Sequence, residues 1–220
     1  MKKTRRNIVI GTLAAASVPA FAQFGGMLGG GKSSGGGNFD ADLKSFLDKS
    51  FSIEATASKA ALAICSAFAS EQKRAEFQTL FTDVGKQTDP KEAGATFQKV
   101  QETASAELKK LAESQDLESQ TKNLSAEKQK LLAKGVGNFL IGVYKGKDIF
   151  STGQSLMSSA TSNPMNLTKA APVKDALSRL GNAASLAAGA IPKFVKALQG
   201  ANISVVAASA SSKEEDIAAI

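Results

Sequence analysis

Histidine and tryptophan are absent from all 220 residues, and cysteine and tyrosine occur once each. Without histidine the chain lacks the commonest general base, the commonest transition-metal ligand and the usual switch near neutral pH. One cysteine, Cys65, allows neither an internal disulfide nor a cysteine-pair metal site. Met157 and Met165 are the nearest thing to a soft-metal pair. They stand eight residues apart with Pro164 between them and no histidine to join them. No catalytic centre, no cofactor and no metal site is therefore expected, and the chain is not expected to be an enzyme. Aromatics make up only 6% of the chain while apolar residues make up 43%, so the core must come from Leu, Ile, Val, Phe and Ala. Alanine buries little area, which demands closely approached helices. Only five prolines interrupt the chain, which leaves room for long ones.

The net charge of +7 suggests nucleic acid until its location is considered. Lys2, Lys3, Arg5 and Arg6 lie in a segment expected to be removed. Taking these four from 27 basic residues leaves 23 against 20 acidic ones, a net of +3. The remaining charges alternate in sign, as in EQKRAEF and SAELKKLAESQDLES, the pattern of solvated helix faces. No basic cluster with interleaved aromatics is present, so no nucleic-acid partner is expected.

Residues 1–22 read as a cleavable signal peptide. A basic start precedes an apolar stretch from Ile8 to Val18, then Pro19 and the small-x-small triplet Ala20-Phe21-Ala22. Cleavage is expected after Ala22, leaving Gln23 as the first mature residue and the protein in the periplasm. The string Thr4-Arg5-Arg6-Asn7-Ile8-Val9 resembles a twin-arginine signal, so that route and the general secretory one both stay open. Cys65 is too far from the cleavage point for lipoprotein anchoring.

Residues 23–38 form a Gly/Ser-rich segment that reads as a flexible tether. Within it Gly26 to Ser33 spell the G-x-x-x-x-G-K-S letters of a phosphate loop. The strand before and the helix after that such a loop requires are missing from the pattern, so no nucleotide site is assigned.

Residues 39–200 carry helical periodicity nearly throughout. Asp40 is a candidate cap for a helix bearing Leu43, Phe46 and Leu47, and a second part runs from Ser52 to Ala69. Ser70 starts a shorter piece with Phe77, Leu80, Phe81 and Val84, ending near Gly85. Asp89-Pro90-Lys91-Glu92 reads as a helix start. The helix it opens carries Phe97, Val100, Ala104, Leu108 and Leu111 and ends near Ser119. Ser125 caps the longest candidate, to Thr161. Along it Leu132, Val136, Phe139, Val143, Gly146, Phe150, Gly153 and Met157 make a heptad seam of roughly 55 Å. Pro172 opens another heptad-spaced helix through Val173, Leu177, Leu180, Ala184, Ala187 and Ile191. Pro192 should kink it, and Gly200 should end it. Residues 201–220 form a tail in which ISVV has strand composition, while Ser212 and Glu215 suit a short final helix. The fold class expected is all-α: a bundle of four to six helices with antiparallel neighbours.

Four glycines, Gly135, Gly137, Gly142 and Gly146, sit inside the longest helix, each costing up to about 1 kcal/mol against alanine. Close helix packing would offset that cost, with the Ala- and Ser-rich helix from Val173 to Ala190 as the natural partner. Alternatively these glycines, with Phe139 and Phe150, border a cavity. Lys134, Asn138, Lys145 and Lys147 interrupt the apolar run and argue against a transmembrane hairpin. Tyr144, Lys145, Lys147 and Asp148 read as a helix surface, and Cys65, between Ile64 and Phe68, as a buried inert thiol.

These features lead to an exported interaction or scaffold module with a protein partner or self-association through its heptads. Two other expectations draw on the same residues. One is a carrier of an apolar small molecule or lipid beside the Gly-rich helix. The other is an envelope-active protein whose amphipathic segments contact a membrane surface.

Overall fold

The computed structural model describes residues 38–205, 208–209 and 211–220. The chain divides after Gly30 into two units, and every described residue belongs to the second. The signal segment, the cleavage residues Ala20, Ala22 and Gln23, and the Gly26–Ser33 loop letters lie outside the described residues.

The fold is all-α, with no strand among the described residues. Among the described residues five long helices build it: α1 (Phe39–Phe68), α2 (Glu71–Lys86), α3 (Gly94–Glu113), α5 (Ala126–Ser162) and α6 (Ala170–Gly189). Two short ones, α4 (Leu117–Lys122) and α7 (Ile191–Gly200), fill gaps between them. No helix is long and apolar enough to cross a membrane among the described residues.

The hub is α1. Residues 60 to 67 are all buried, so this part of the helix has neighbours on every side. The helix is unbroken, contrary to the two pieces expected. No glycine or proline occurs between Leu47 and Ser52, and Phe46 and Ile53 both find the core. Its cap is Asn38 rather than Asp40: the Asn38 side chain accepts the Asp40 N–H at 3.2 Å. Phe51 stacks on Phe97 of α3 with ring centres 5.5 Å apart, and Phe68 meets Phe194 of α7 at 6.1 Å.

Against α1 lies α5, antiparallel. A Cβ on Gly135 would meet Ile64, on Gly142 Ala57, on Gly146 Ile53, and on Gly153 Phe46. Steps of seven, four and seven residues down α1 match equal steps up α5. The partner of the glycine face is thus mainly α1. The expected helix, α6, supplies only Leu180 and Leu177 at the Gly146 and Gly153 end. The residues expected on the α5 heptad seam, from Leu132 to Met157, are buried or half-buried within this chain.

Local signals set several helix ends. Ser125 caps α5 by accepting the Lys128 N–H, and Asn163 caps the 3₁₀ turn Pro164–Lys169 by accepting from Met165. Two ends depart from expectation. Asp89 Oδ1 takes the Lys91 N–H in a local turn, which delays α3 to Gly94. Ser114 turns extended and accepts the Asp116 N–H, which ends α3 at Glu113 and leaves α4 separate. Pro192 sits in the first turn of α7, where its missing N–H costs nothing, so the expected kink is a break into two helices. After Gly200, Asn202 takes a positive φ of 59°. The Ile203 N–H then reaches the Leu198 carbonyl at 2.9 Å and the Asn202 N–H the Gln199 carbonyl at 3.0 Å, closing α7.

Candidate functional site

Among the described residues, the chain beyond α7 shows neither the strand nor the short helix that its composition suggested. Among the described residues after Asn202 there is no helix or strand, and Glu214, Glu215, Asp216 and Ile220 are bonded to the bundle. What holds them is a set of side chains on α1, α2 and α5.

At the centre is Asn138, buried on α5. Its Nδ2 donates to the Glu215 carbonyl at 2.6 Å, and its Oδ1 accepts the Glu215 N–H at 2.8 Å. One side-chain amide thereby satisfies both main-chain groups of one residue, as a neighbouring strand would. One turn earlier, Lys134 donates to the Asp216 carbonyl at 2.7 Å. Two turns later, Lys145 pairs with the Glu214 carboxylate at 2.8 Å, and Thr56 of α1 donates to the same carboxylate at 2.8 Å. At the far end the Ile220 N–H reaches Gln78 Oε1 of α2 at 3.1 Å, and the Ile220 side chain is buried. Main-chain contacts dominate. Side-chain contacts are made at Glu214, which meets a lysine and a hydroxyl, at Ile217, which is half-buried, and at Ile220, which is buried.

Helix geometry explains why these residues work together. Lys134, Asn138 and Lys145 are spaced four and seven apart, which places them on one stripe of α5. The glycine face packs on α1, leaving this stripe for the tail. Beside it is an open cleft of about 310 Å³ lined by Ala126, Gln129, Lys130, Ala133, Lys134, Ile203, Ser204 and Glu215. Gly137 lies one turn beyond Ala133, and a Cβ there would meet nothing within 4 Å.

The residues singled out in the sequence fall into three groups. Gly135, Gly142 and Gly146 pack against α1, with Phe139 buried and Phe150 half-buried beside them. The cleft is lined not by these but by the first three turns of α5, Ile203, Ser204 and Glu215. Of the expected surface group, Lys147 and Asp148 are exposed, whereas Lys145 is drawn into the tail contact. Cys65 is fully buried and its Sγ lies 3.7 Å from the Ala104 carbonyl; burial pushes its thiol far up from the ordinary range, which keeps it protonated. Met165 is exposed, and no cluster of three or more acidic or cysteine groups able to hold a metal occurs among the described residues.

Sequence reasoning missed a buried ion pair. Glu54 of α1 is 6% exposed and accepts from Arg179 Nε of α6 at 2.6 Å. Burial raises its carboxyl to about 7, against the opposing pull of the Arg179 hydrogen bond and charge. The only local signal is a glutamate on the apolar side of α1, one turn from buried Ser50 and Ser58. Its partner is 125 residues away. Comparison with known proteins finds no matching family model, no matching curated protein and no matching solved structure.

Proposed function

We propose that this chain is an exported envelope protein that acts as an interaction module, binding an extended protein segment in the groove that Thr56, Gln78, Lys134, Asn138 and Lys145 create. The observation that carries this is the paired hydrogen bonding of buried Asn138 to both main-chain groups of Glu215. A buried amide left without partners costs about 1–3 kcal/mol, so this position is built for an extended chain. The groove resembles sheet-edge recognition in its logic: main-chain bonds hold the segment, and a few side-chain positions select it. Export is supported by the n-region, the apolar stretch and the Ala20-Phe21-Ala22 triplet.

The test is site-specific photo-crosslinking from position 56, at the groove rim, in the full chain produced in its own cells. Adducts with another protein in the periplasmic fraction, on a chain whose mass begins at Gln23, are expected. A chain that yields only internal crosslinks to its tail, or one retained in the cytoplasm, would contradict the proposal.

A second reading, carriage of a small molecule, is favoured by the cleft beside Lys130 and Lys134. Its volume of about 310 Å³ is at the low end for ligand pockets. Native mass spectrometry of protein from the periplasm would reveal it as extra mass lost on denaturation, and a clean chain mass would remove it.

A further inference from the structure

We infer that residues 213–220 occupy the groove as a stand-in for the partner, so that the true ligand is an extended segment of another protein with an acidic residue followed, six positions on, by an aliphatic one. This inference rests on the groove being a binding site, and adds what it selects and how it is kept closed.

The tail itself defines the chemistry. Glu214 contributes a carboxylate that Lys145 and Thr56 hold from two helices. Glu215 and Asp216 contribute main-chain groups only, to Asn138 and to Lys134. Ile220 contributes a buried side chain, its N–H held by Gln78. A competing segment needs the same three things in the same order: a negative charge, two unencumbered peptide units and an apolar anchor. Charge complementarity supports an acidic rather than a basic ligand, because both flanking cations, Lys134 and Lys145, stand on the groove side of α5. The charges of Glu215 and Asp216 add to this field with no ion-pair partner among the described residues.

The closing device follows from how replaceable such a contact is, since another segment can offer the same main-chain groups to Asn138 and Lys134. Its ion pair is about one-third exposed on both sides, which puts it among surface pairs of small net value. The tail's main-chain bonds and the buried Ile220 side chain hold it, and its tether favours it over a free competitor. An attached segment acts at a high effective concentration, so a free peptide of equal chemistry must compete with it. The apparent affinity of the groove is then the intrinsic one scaled down by the fraction of molecules whose tail is away. A partner with a stronger anchor, or with a second contact elsewhere, displaces the tail.

The experiment uses the full mature chain and a fluorescent peptide of residues 213–220, read by polarisation. Three forms are compared: the unaltered chain, Glu214→Lys, which sets the tail against Lys145, and Glu214→Lys combined with Asn138→Asp, which keeps the side-chain shape but removes the donor. Circular dichroism and a thermal melt establish that each is folded. The expected order is weak binding to the unaltered chain, binding tighter by about tenfold or more to Glu214→Lys, and loss of that gain with Asn138→Asp. A peptide carrying lysine at the Glu214 position should bind none of them, whereas substitutions at Ala218 and Ala219 should be tolerated. Equal affinity of the first two forms, with the Asn138 dependence intact, would overturn the stand-in role while leaving the groove. Absence of binding to a folded Glu214→Lys chain up to about 1 mM peptide would overturn the groove as well.

Discussion

The two sides of α5 hold their neighbours by opposite means. Toward α1 it presents glycines, and at Gly135 and Gly153 backbone, aliphatic and ring atoms stand where a methyl group would go. Toward the tail it presents Lys134, Asn138 and Lys145, and the contact is made by hydrogen bonds to the main chain of Glu215 and Asp216 and by an ion pair with the Glu214 carboxylate. The first kind of contact cannot open gradually, because close packing is lost as soon as the helices part. The second kind can be exchanged bond for bond with water or with another segment. One helix therefore carries both a close-packed seam and a replaceable contact.

Filling the seam should produce the largest effects. A Cβ at Gly153 would come within 2.6 Å of the buried Phe46 ring and 2.7 Å of Leu177. Gly153→Ala should cost about 3 kcal/mol in a urea or thermal melt despite the better helix propensity of alanine. Gly135→Ala, facing the Ala60 carbonyl at 3.0 Å and Ile64 at 2.9 Å, should cost about 2 kcal/mol by the same measurement. No change in the melting midpoint for either would mean that the helices are not in this close register.

The next effect depends on pH. Because the folded Glu54 carboxyl is raised to about 7 from an ordinary 4.5, the folded state holds the extra proton between those values. Its stabilising contribution is full below about 4.5 and is lost as pH rises through about 7. Glu54→Gln should flatten this part of the stability profile, measured by urea unfolding across that range. A profile that keeps its slope in the variant would place the titration elsewhere.

On the tail side, Asn138→Ala should cost about 1 kcal/mol globally while releasing residues 214–220 to solvent. Combined with Ile220→Asp it should lose less than the sum of the two, because both act on one contact. Full additivity in the double-mutant cycle would separate the two residues. The smallest effect should have the opposite sign. Gly137 lies next to open space, so Gly137→Ala should stabilise by about 0.5–1 kcal/mol, in contrast to Gly135 only two residues away.

The parts of this fold legible in the sequence were those set by nearby residues. Ser125, Pro164 and Pro192 mark boundaries because a cap or a missing N–H acts within one turn, and the spacing from Leu132 to Met157 marks the buried side of α5. The choice between a long helix start and a local turn at Asp89 was not legible, since both use the same side chain and the same first N–H groups. Nor was the partner of the glycine face. Small residues stand on both α1 and α6, and only the antiparallel register of the whole bundle selects α1. Asn138 entered as an interruption in an apolar run, although a polar residue between Gly137 and Phe139 was the one sign that something polar must meet it there. The tail carried a capping pattern at Ser212 that lost to main-chain bonds with Asn138 and Lys134, which no local rule contains.

The most direct test of this contrast within one helix is hydrogen exchange of the full chain, resolved to the tail and to the α1–α5 seam. Residues 214–220 should exchange through local opening at low free energy, and an excess of unlabelled peptide of residues 213–220 should speed them further while the seam stays protected. Tail amides that exchange only as slowly as those of α1 and α5, and do not respond to the peptide, would contradict a displaceable tail in a binding groove.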